Sequence, residues 1–163
     1  MKKIGVIFGG MSTEHEVSIS SGTSIISNLD KQKYEILPIY ISKSGEWYKY
    51  TKPVNDIIPL HVGDEITELE KIENEFECLK SLDIAFPVLH GLYGEDGTIQ
   101  GLLELLKIKY VGCKVLSSSI CMDKVYAKIV FDKAQIPQAD YAYVKAEKGK
   151  YTYVHKNFDE ETL

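Results

Sequence analysis

The chain contains no arginine: all 19 of its Lys+Arg positions are lysine. Chemistry that needs the planar, two-pronged grip of a guanidinium on a carboxylate or phosphate must therefore come from outside these residues. Cysteine is scarce too. Cys78, Cys113 and Cys121 are odd in number and lack C-x-x-C spacing, which argues against a disulfide scaffold or a structural zinc site and favours a reduced, cytoplasmic setting. No apolar run approaches the roughly 20 residues that span a bilayer. The opening MKKIGVIFGG reaches Gly-Gly and a charged segment too soon for a signal peptide. A net charge of −5 and a pI near 5.4 argue against nucleic-acid and anionic-membrane partners.

Several motifs are missing as well. The first glycine loop has no G-x-G-x-x-G, and Ser42-Lys43 stands where a dinucleotide-binding fold wants an acidic residue, so a NAD-dependent reading is disfavoured. Ser18, Ser20 and Ser21 form no G-x-S-x-G elbow, and no covalent nucleophile is evident. His15, His61, His90 and His155 are isolated from one another and show no metal-ligand spacing, so no metal site is expected.

What is present is the patterning of a soluble α/β protein, at 44% hydrophobic and 26% charged residues. Lys3–Phe8 is a short continuous apolar run, as in a parallel strand covered on both faces. A helix follows, with Gly22, Ile25, Ile26 and Leu29 on one face. Glu35–Ile41 is a second strand, where Pro38 suggests an edge or irregular position, and Trp47–Tyr50 a short extra one. The segment Thr51–Leu79 is polar and weakly patterned, with one helix near Glu73–Lys80. Ser81–Leu89 is a third strand. A helix from Asp96 to about Lys107 carries Ile99, Leu102, Leu103 and Leu106 on one face, with Asp96 as N-cap and Lys107 and Lys109 suiting its C-terminal dipole. Tyr110-Val111 is a brief fourth strand. Ser117–Ser119 are expected to cap a helix running through Met122–Ala134, stopped at Ile136-Pro137. Tyr141–Val144 and Tyr151–His155 then alternate around Lys148-Gly149-Lys150, an antiparallel hairpin. This switch of pattern places a domain boundary near Cys121, dividing 1–121 from 122–163. Asn157–Leu163 resembles the capped first turn of a helix that the sequence does not finish, as expected of a piece of a longer protein. The whole is an α/β chain: an open, mostly parallel Rossmann-like sheet with flanking helices, then the start of an α+β unit.

Two glycine-rich loops follow buried strands. In GGMSTEHEVSISSG (9–22), Glu14 is a candidate anchor for a ligand ammonium, or it complements the helix dipole together with Glu16. In HGLYGEDGTIQG (90–101), His90 could donate to a carboxylate or phosphate, or pack beneath the loop, while Glu95 and Asp96 read as capping groups. In an open parallel sheet both loops face one crevice. Lys124 could meet a phosphate, or be a solvated lysine.

Taken together, IFGGMSTEHEVSISSG (7–22), FPVLHGLYGEDGTIQGLLELL (86–106) and VGCKVLSSSICMDK (111–124) resemble the N-terminal region of the D-alanine–D-alanine ligases. The resemblance implies a pre-ATP-grasp domain followed by the start of an ATP-grasp domain. It implies ATP with magnesium or manganese, D-alanine as substrate, an acyl-phosphate route to the dipeptide in peptidoglycan precursor synthesis, and a homodimer. It implies that Glu14 holds the ammonium of the first D-alanine, that His90 lies near that substrate's carboxylate, that Val17 and Ser18 line the pocket, and that Lys124 contacts ATP phosphates. The family's remaining phosphate and metal groups lie beyond residue 163, so these residues alone are expected to be catalytically inert. D-Alanine–D-serine and D-alanine–D-lactate ligases are similar in the same segments. A stand-alone module that senses an amino acid or nucleotide is the reading from another class.

Overall fold

The computed structural model describes residues 1–156, with side chains over 1–150, so the helix start expected at Asn157–Leu163 lies outside the described residues. The chain divides into two compact units, Met1–Met122 and Asp123 onward.

The first unit runs β1 (Lys2–Gly9), α1 (His15–Asn28), β2 (Tyr34–Ile41), β3 (Trp47–Tyr50), a 3₁₀ turn at Val54–Asp56, β4 (Leu69–Lys71), α2 (Glu75–Lys80), β5 (Ile84–Pro87), α3 (Thr98–Leu105), β6 (Lys109–Tyr110) and α4 (Val115–Met122). One six-stranded sheet has the order β4-β3-β2-β1-β5-β6. β1 lies parallel to β2 and β5, and β5 to β6. β3 and β4 pair antiparallel at one edge. The strand order reverses at β1: the chain leaves it for β2 on one side and later returns to β5 on the other. That reversal is the topological switch at which open α/β sheets form their ligand crevice.

Both faces of the central strands are buried, which explains their unbroken apolar sequence. Ile4, Val6 and Phe8 of β1 face a core containing Ile19 and Ile26 of α1 together with Ile36 and Tyr40 of β2. Ile7, Ile39 and Ile41 face the other core, with Leu79 of α2 and Ile99 and Leu103 of α3. The buried stripe of α1 is His15, Ser18, Ile19, Gly22, Thr23 and Ile26; Ile25 and Leu29, expected on that face, are only partly buried.

Several expectations need correction. β2 is an interior strand, not an edge. β3 pairs with β2 only from Ile39 to Ile41, so Pro38 faces one neighbour, β1, and its missing N–H is tolerated there. The segment Thr51–Leu79 supplies the edge strand β4 as well as α2, whose cap is the Asn74 side chain accepting from the Glu77 N–H. Asp96 does not sit at the N-cap of α3. That position is Gly97 at φ +95°, and Asp96, one residue earlier, accepts from the Thr98 and Tyr93 N–H groups. Burial raises the Asp96 carboxyl pKa, but these hydrogen bonds outweigh it and leave the group below its ordinary value. Lys107 lies beyond α3 in the left-handed region at φ 57°. It closes a Schellman turn in which Lys107 N–H donates to Glu104 and Ile108 N–H to Leu103, with Ile108 and Leu103 both in the core. Ser117–Ser119 lie inside α4 and cap nothing, because the expected single helix is two: α4 ends at Met122 and a new helix starts after Asp123.

The second unit holds α5 (Lys124–Lys133) and the hairpin β7 (Ala142–Glu147) and β8 (Lys150–Lys156). Asp123 caps α5, accepting from the Val125 and Tyr126 N–H groups. The hairpin turn is Lys148-Gly149, with both residues at positive φ, a type I′ turn matched to strand twist. Among the described residues no helix is long and apolar enough to cross a membrane.

Candidate functional site

The loops after β1 and β5 meet over the sheet at the switch point. Loop one leaves β1 through Gly9 and Gly10, at φ +90° and +93°. A side chain at Gly9 would strike the Ile41 carbonyl oxygen, so the close approach to β2 demands glycine. Gly10 N–H donates to that carbonyl (2.8 Å). The loop ends at Glu14, the N-cap residue of α1, whose side chain makes no capping bond. Glu16 plays a separate part: it pairs with Lys43 at 3.1 Å on the surface, a contact of small energetic weight.

Loop two opens with His90 and Gly91. Gly91 stands at φ +68° against the Glu14 carboxylate, where a side chain would clash. Glu14 thus reaches the second loop. The Ser12 hydroxyl first, then that of Thr13 and the residue's own N–H, hold the Glu14 carboxyl below the usual carboxylate range, and His90 adds a smaller effect in the same direction. An exposed, ionised carboxylate is the group that receives an ammonium.

Ser12 and Ser18 stitch the loops together. Ser12 Oγ accepts from Glu14 N–H (3.1 Å) and donates to the His90 carbonyl (2.6 Å). Ser18, fully buried, accepts from Gly9 N–H (2.9 Å) and donates to the Val88 carbonyl (2.7 Å), joining the end of β1 to the segment after β5. The His90 ring is half-buried, with Nε2 3.1 Å from Ser21 Oγ and Nδ1 3.8 Å from a Glu95 oxygen. The other Glu95 oxygen accepts from Gly91 N–H (2.9 Å). Glu95 therefore braces the loop and the histidine and does not cap α3.

Of the residues singled out from sequence, Glu14, His90 and Ser18 come together here. Val17 is exposed on α1. Lys124 opens α5 in the second unit. Sequence reading passed over Ser12 and weighed Ser21 and His15 only as a nucleophile and a metal ligand; the signal available was the Ser18–Ser21 spacing on the stripe that Gly22 marks as buried. Beside His90 lies an apolar recess of about 160 Å³, bounded by Met11, Trp47, Leu89, Leu92, Ile99 and Leu102. Its lining suits a hydrocarbon group, whereas the Glu14–His90 side suits a charged one. Among the described residues no three His, Cys, Asp or Glu side chains gather as metal donors.

A mixed α/β sheet flanked by helices, with its crevice at the reversal beside β1, defines the class of open α/β domain to which the first unit belongs. The family described as "D-ala D-ala ligase N-terminus" matches residues 3–113. A protein of Clostridium acetobutylicum named D-alanine–D-alanine ligase is 50% identical over 152 residues, covering 91% of this chain and 43% of its own length. Two solved structures agree in fold. The VanG D-Ala:D-Ser ligase from Enterococcus faecalis has a TM-score of 0.71 at 39% identity, over 88% of this chain and 45% of its own. The D-alanine–D-alanine ligase from Bacillus anthracis complexed with ATP has a TM-score of 0.63 at 37% identity, over 99% and 44%. The chain belongs to the D-alanine–D-alanine ligase family, as its N-terminal part, and spans less than half the length of these relatives.

Proposed function

We propose that the chain is the first-substrate half of an ATP-dependent ligase that joins two D-alanines for peptidoglycan precursor synthesis in the cytoplasm. One observation carries this reading: the Glu14 carboxylate and the His90 ring stand on facing loops held together by Ser12 and Ser18. An amino-acid zwitterion needs an anion for its ammonium and a donor for its carboxylate, and these two groups supply both. Val17 and Ser18 are assigned to the pocket: Val17 as a wall on the exposed side of α1, Ser18 as the buried tie beneath it. On this reading the first D-alanine's carboxylate would take the γ-phosphoryl group of ATP, releasing ADP, and the amine of the second D-alanine would displace inorganic phosphate to form the dipeptide. The residues of this chain bind and orient the first amino acid so that its carboxylate is presented for that step.

Lys124 is assigned to the ATP phosphates. Asp123 takes the Val125 and Tyr126 N–H groups at the start of α5, so on this reading the contact is made by the lysine side chain and not by the helix end. Magnesium or manganese belongs, on this reading, with carboxylates in the length of the family that this chain does not span. Assembly as a homodimer is consistent with the exposed Leu105 of α3 and Leu116 of α4.

The test is phosphate release by the full-length product of the reading frame, with ATP, magnesium and D-alanine. Release with D-alanine alone is expected, and none from residues 1–163 by themselves. No release with any amino-acid pair defeats the assignment. Because VanG is a D-Ala:D-Ser ligase, a second arm adds D-serine; mixed dipeptide in excess over D-alanyl-D-alanine would favour that specificity instead.

A further inference from the structure

His15 follows the proposed ammonium anchor directly, yet its ring is turned to Gly10 and Tyr40. It is buried, at 3% exposure. Nδ1 lies 2.5 Å from the Gly10 carbonyl oxygen and Nε2 lies 3.2 Å from the Tyr40 hydroxyl. A carbonyl only accepts, so Nδ1 carries the proton; in the neutral ring Nε2 then accepts from the Tyr40 hydroxyl. Tyr40 is fixed in turn. It is a buried residue of β2 whose ring lies 5.6 Å from that of His15, edge-on, and 5.9 Å from that of Phe8. Burial first, and Tyr48 second, raise the Tyr40 pKa, so its hydroxyl keeps the proton it donates.

These contacts form a closed loop. Gly10 is tied to β2 through Ile41, and the His15 ring ties Gly10 to the same strand through Tyr40. Glu14 lies between the two ends, in the span from Gly10 to His15 that the Nδ1–Gly10 bond closes. Ser12 joins that span to the second loop through the His90 carbonyl, and the Glu14 carbonyl accepts from Ser18 N–H (2.9 Å) in the first turn of α1. No other side chain crosses from α1 to the Gly10 carbonyl among the described hydrogen bonds.

We propose that His15 is a positioning residue for the first amino acid: its Nδ1–H, donated to Gly10, fixes the span that aims the Glu14 carboxylate into the crevice. This rests on the reading that Glu14 holds the substrate ammonium. It predicts a contact that works through one nitrogen, so asparagine, whose side-chain N–H falls where Nδ1–H does, should substitute where leucine cannot.

The experiment is steady-state kinetics on the full-length enzyme with His15→Leu, His15→Asn and Glu14→Gln, each with its melting temperature, and His61→Asn as an exposed control. For His15→Leu the KM for the first D-alanine should rise about tenfold, with kcat and the KM for ATP within about twofold. His15→Asn should stay within about threefold of wild type in every constant. The inference is overturned if His15→Leu leaves the KM unchanged, if it lowers kcat in step with lost folded protein, or if a folded His15→Asn matches His15→Leu. Should the leucine variant fail to fold, a folded asparagine variant with a tenfold higher KM still refutes it, and one near wild type supports it. Glu14→Gln separates the two levels of the argument: no effect there removes the reading beneath, whereas an effect there with none in His15→Leu removes this inference alone.

Discussion

Glu14→Gln is expected to weaken first-site D-alanine about tenfold to a hundredfold while leaving ATP binding nearly unchanged. The substitution keeps the side chain's shape, turns one acceptor oxygen into an NH2 donor and removes the charge that an ammonium meets, an interaction of that size when one partner is ionised. The effect stays within that range because the Glu14 carboxylate is exposed and screened by water. The pH dependence follows from the sign of its shift. The carboxyl pKa is lowered from 4.5 by the Ser12 and Thr13 hydroxyls and its own N–H. A lowered value means the charged form, and whatever it contributes to binding or stability, is fully present above 4.5 and is lost only as pH falls through the depressed value. Binding by wild type should therefore hold steady from neutrality to about pH 5 as far as Glu14 is concerned, and the glutamine variant should lack the loss that appears below it. Titration calorimetry across that range reads both quantities. An unchanged affinity in Glu14→Gln would place the ammonium elsewhere.

Gly22→Ala is expected to be strongly destabilising. A side-chain carbon at Gly22 would lie 2.5 Å from Phe8 Cβ and 2.6 Å from Phe8 Cγ. Phe8 is fully buried on β1, so α1 would have to lift from the sheet, at a cost of about 3 kcal/mol. That corresponds to a fall in Tm on the order of 10 °C. Gly101→Ala is the contrast, because no atom lies within 4 Å of the added carbon. It removes a flexible residue from the middle of α3 and should stabilise by roughly 0.5–1 kcal/mol. Thermal unfolding of the two variants side by side checks the packing of α1 against β1. Equal effects would mean that the helix does not sit as described.

The parts of the fold that could be read in advance are those where one local rule decides. β1, with its continuous apolar run and Gly-Gly stop, admits only a doubly covered strand. Lys148-Gly149 between alternating segments admits only a tight hairpin. Where tertiary contacts decide, the reading slipped. β4 is three residues of a polar stretch, and only its pairing with β3 makes it a strand. Pro38 weighs against an interior position until the short reach of β3 is known. Lys107 looks like a helix-dipole lysine, and only the folded turn reveals it at a left-handed position usually given to glycine.

The candidate site divides the same way. Glu14 and His90 stand out because charged and ionisable groups beside glycine turns at strand ends are placed there by the topology. Their supports do not stand out. Ser12, Ser21 and His15 are ordinary residues until the fold sets Ser12 beside a carbonyl 78 positions away, Ser21 beside the His90 ring, and His15 beside Tyr40. The structure also shifts weight within the pair of glutamates: Glu16 is occupied by Lys43, and Glu14 alone reaches the second loop.

The most direct test of the account is a crystal structure of the full-length protein with D-alanine bound. The account predicts the substrate nitrogen within about 3.2 Å of a Glu14 carboxylate oxygen, and the His90 ring facing the substrate carboxylate. D-Alanine bound elsewhere, with the crevice between the two loops filled only by solvent, would contradict it.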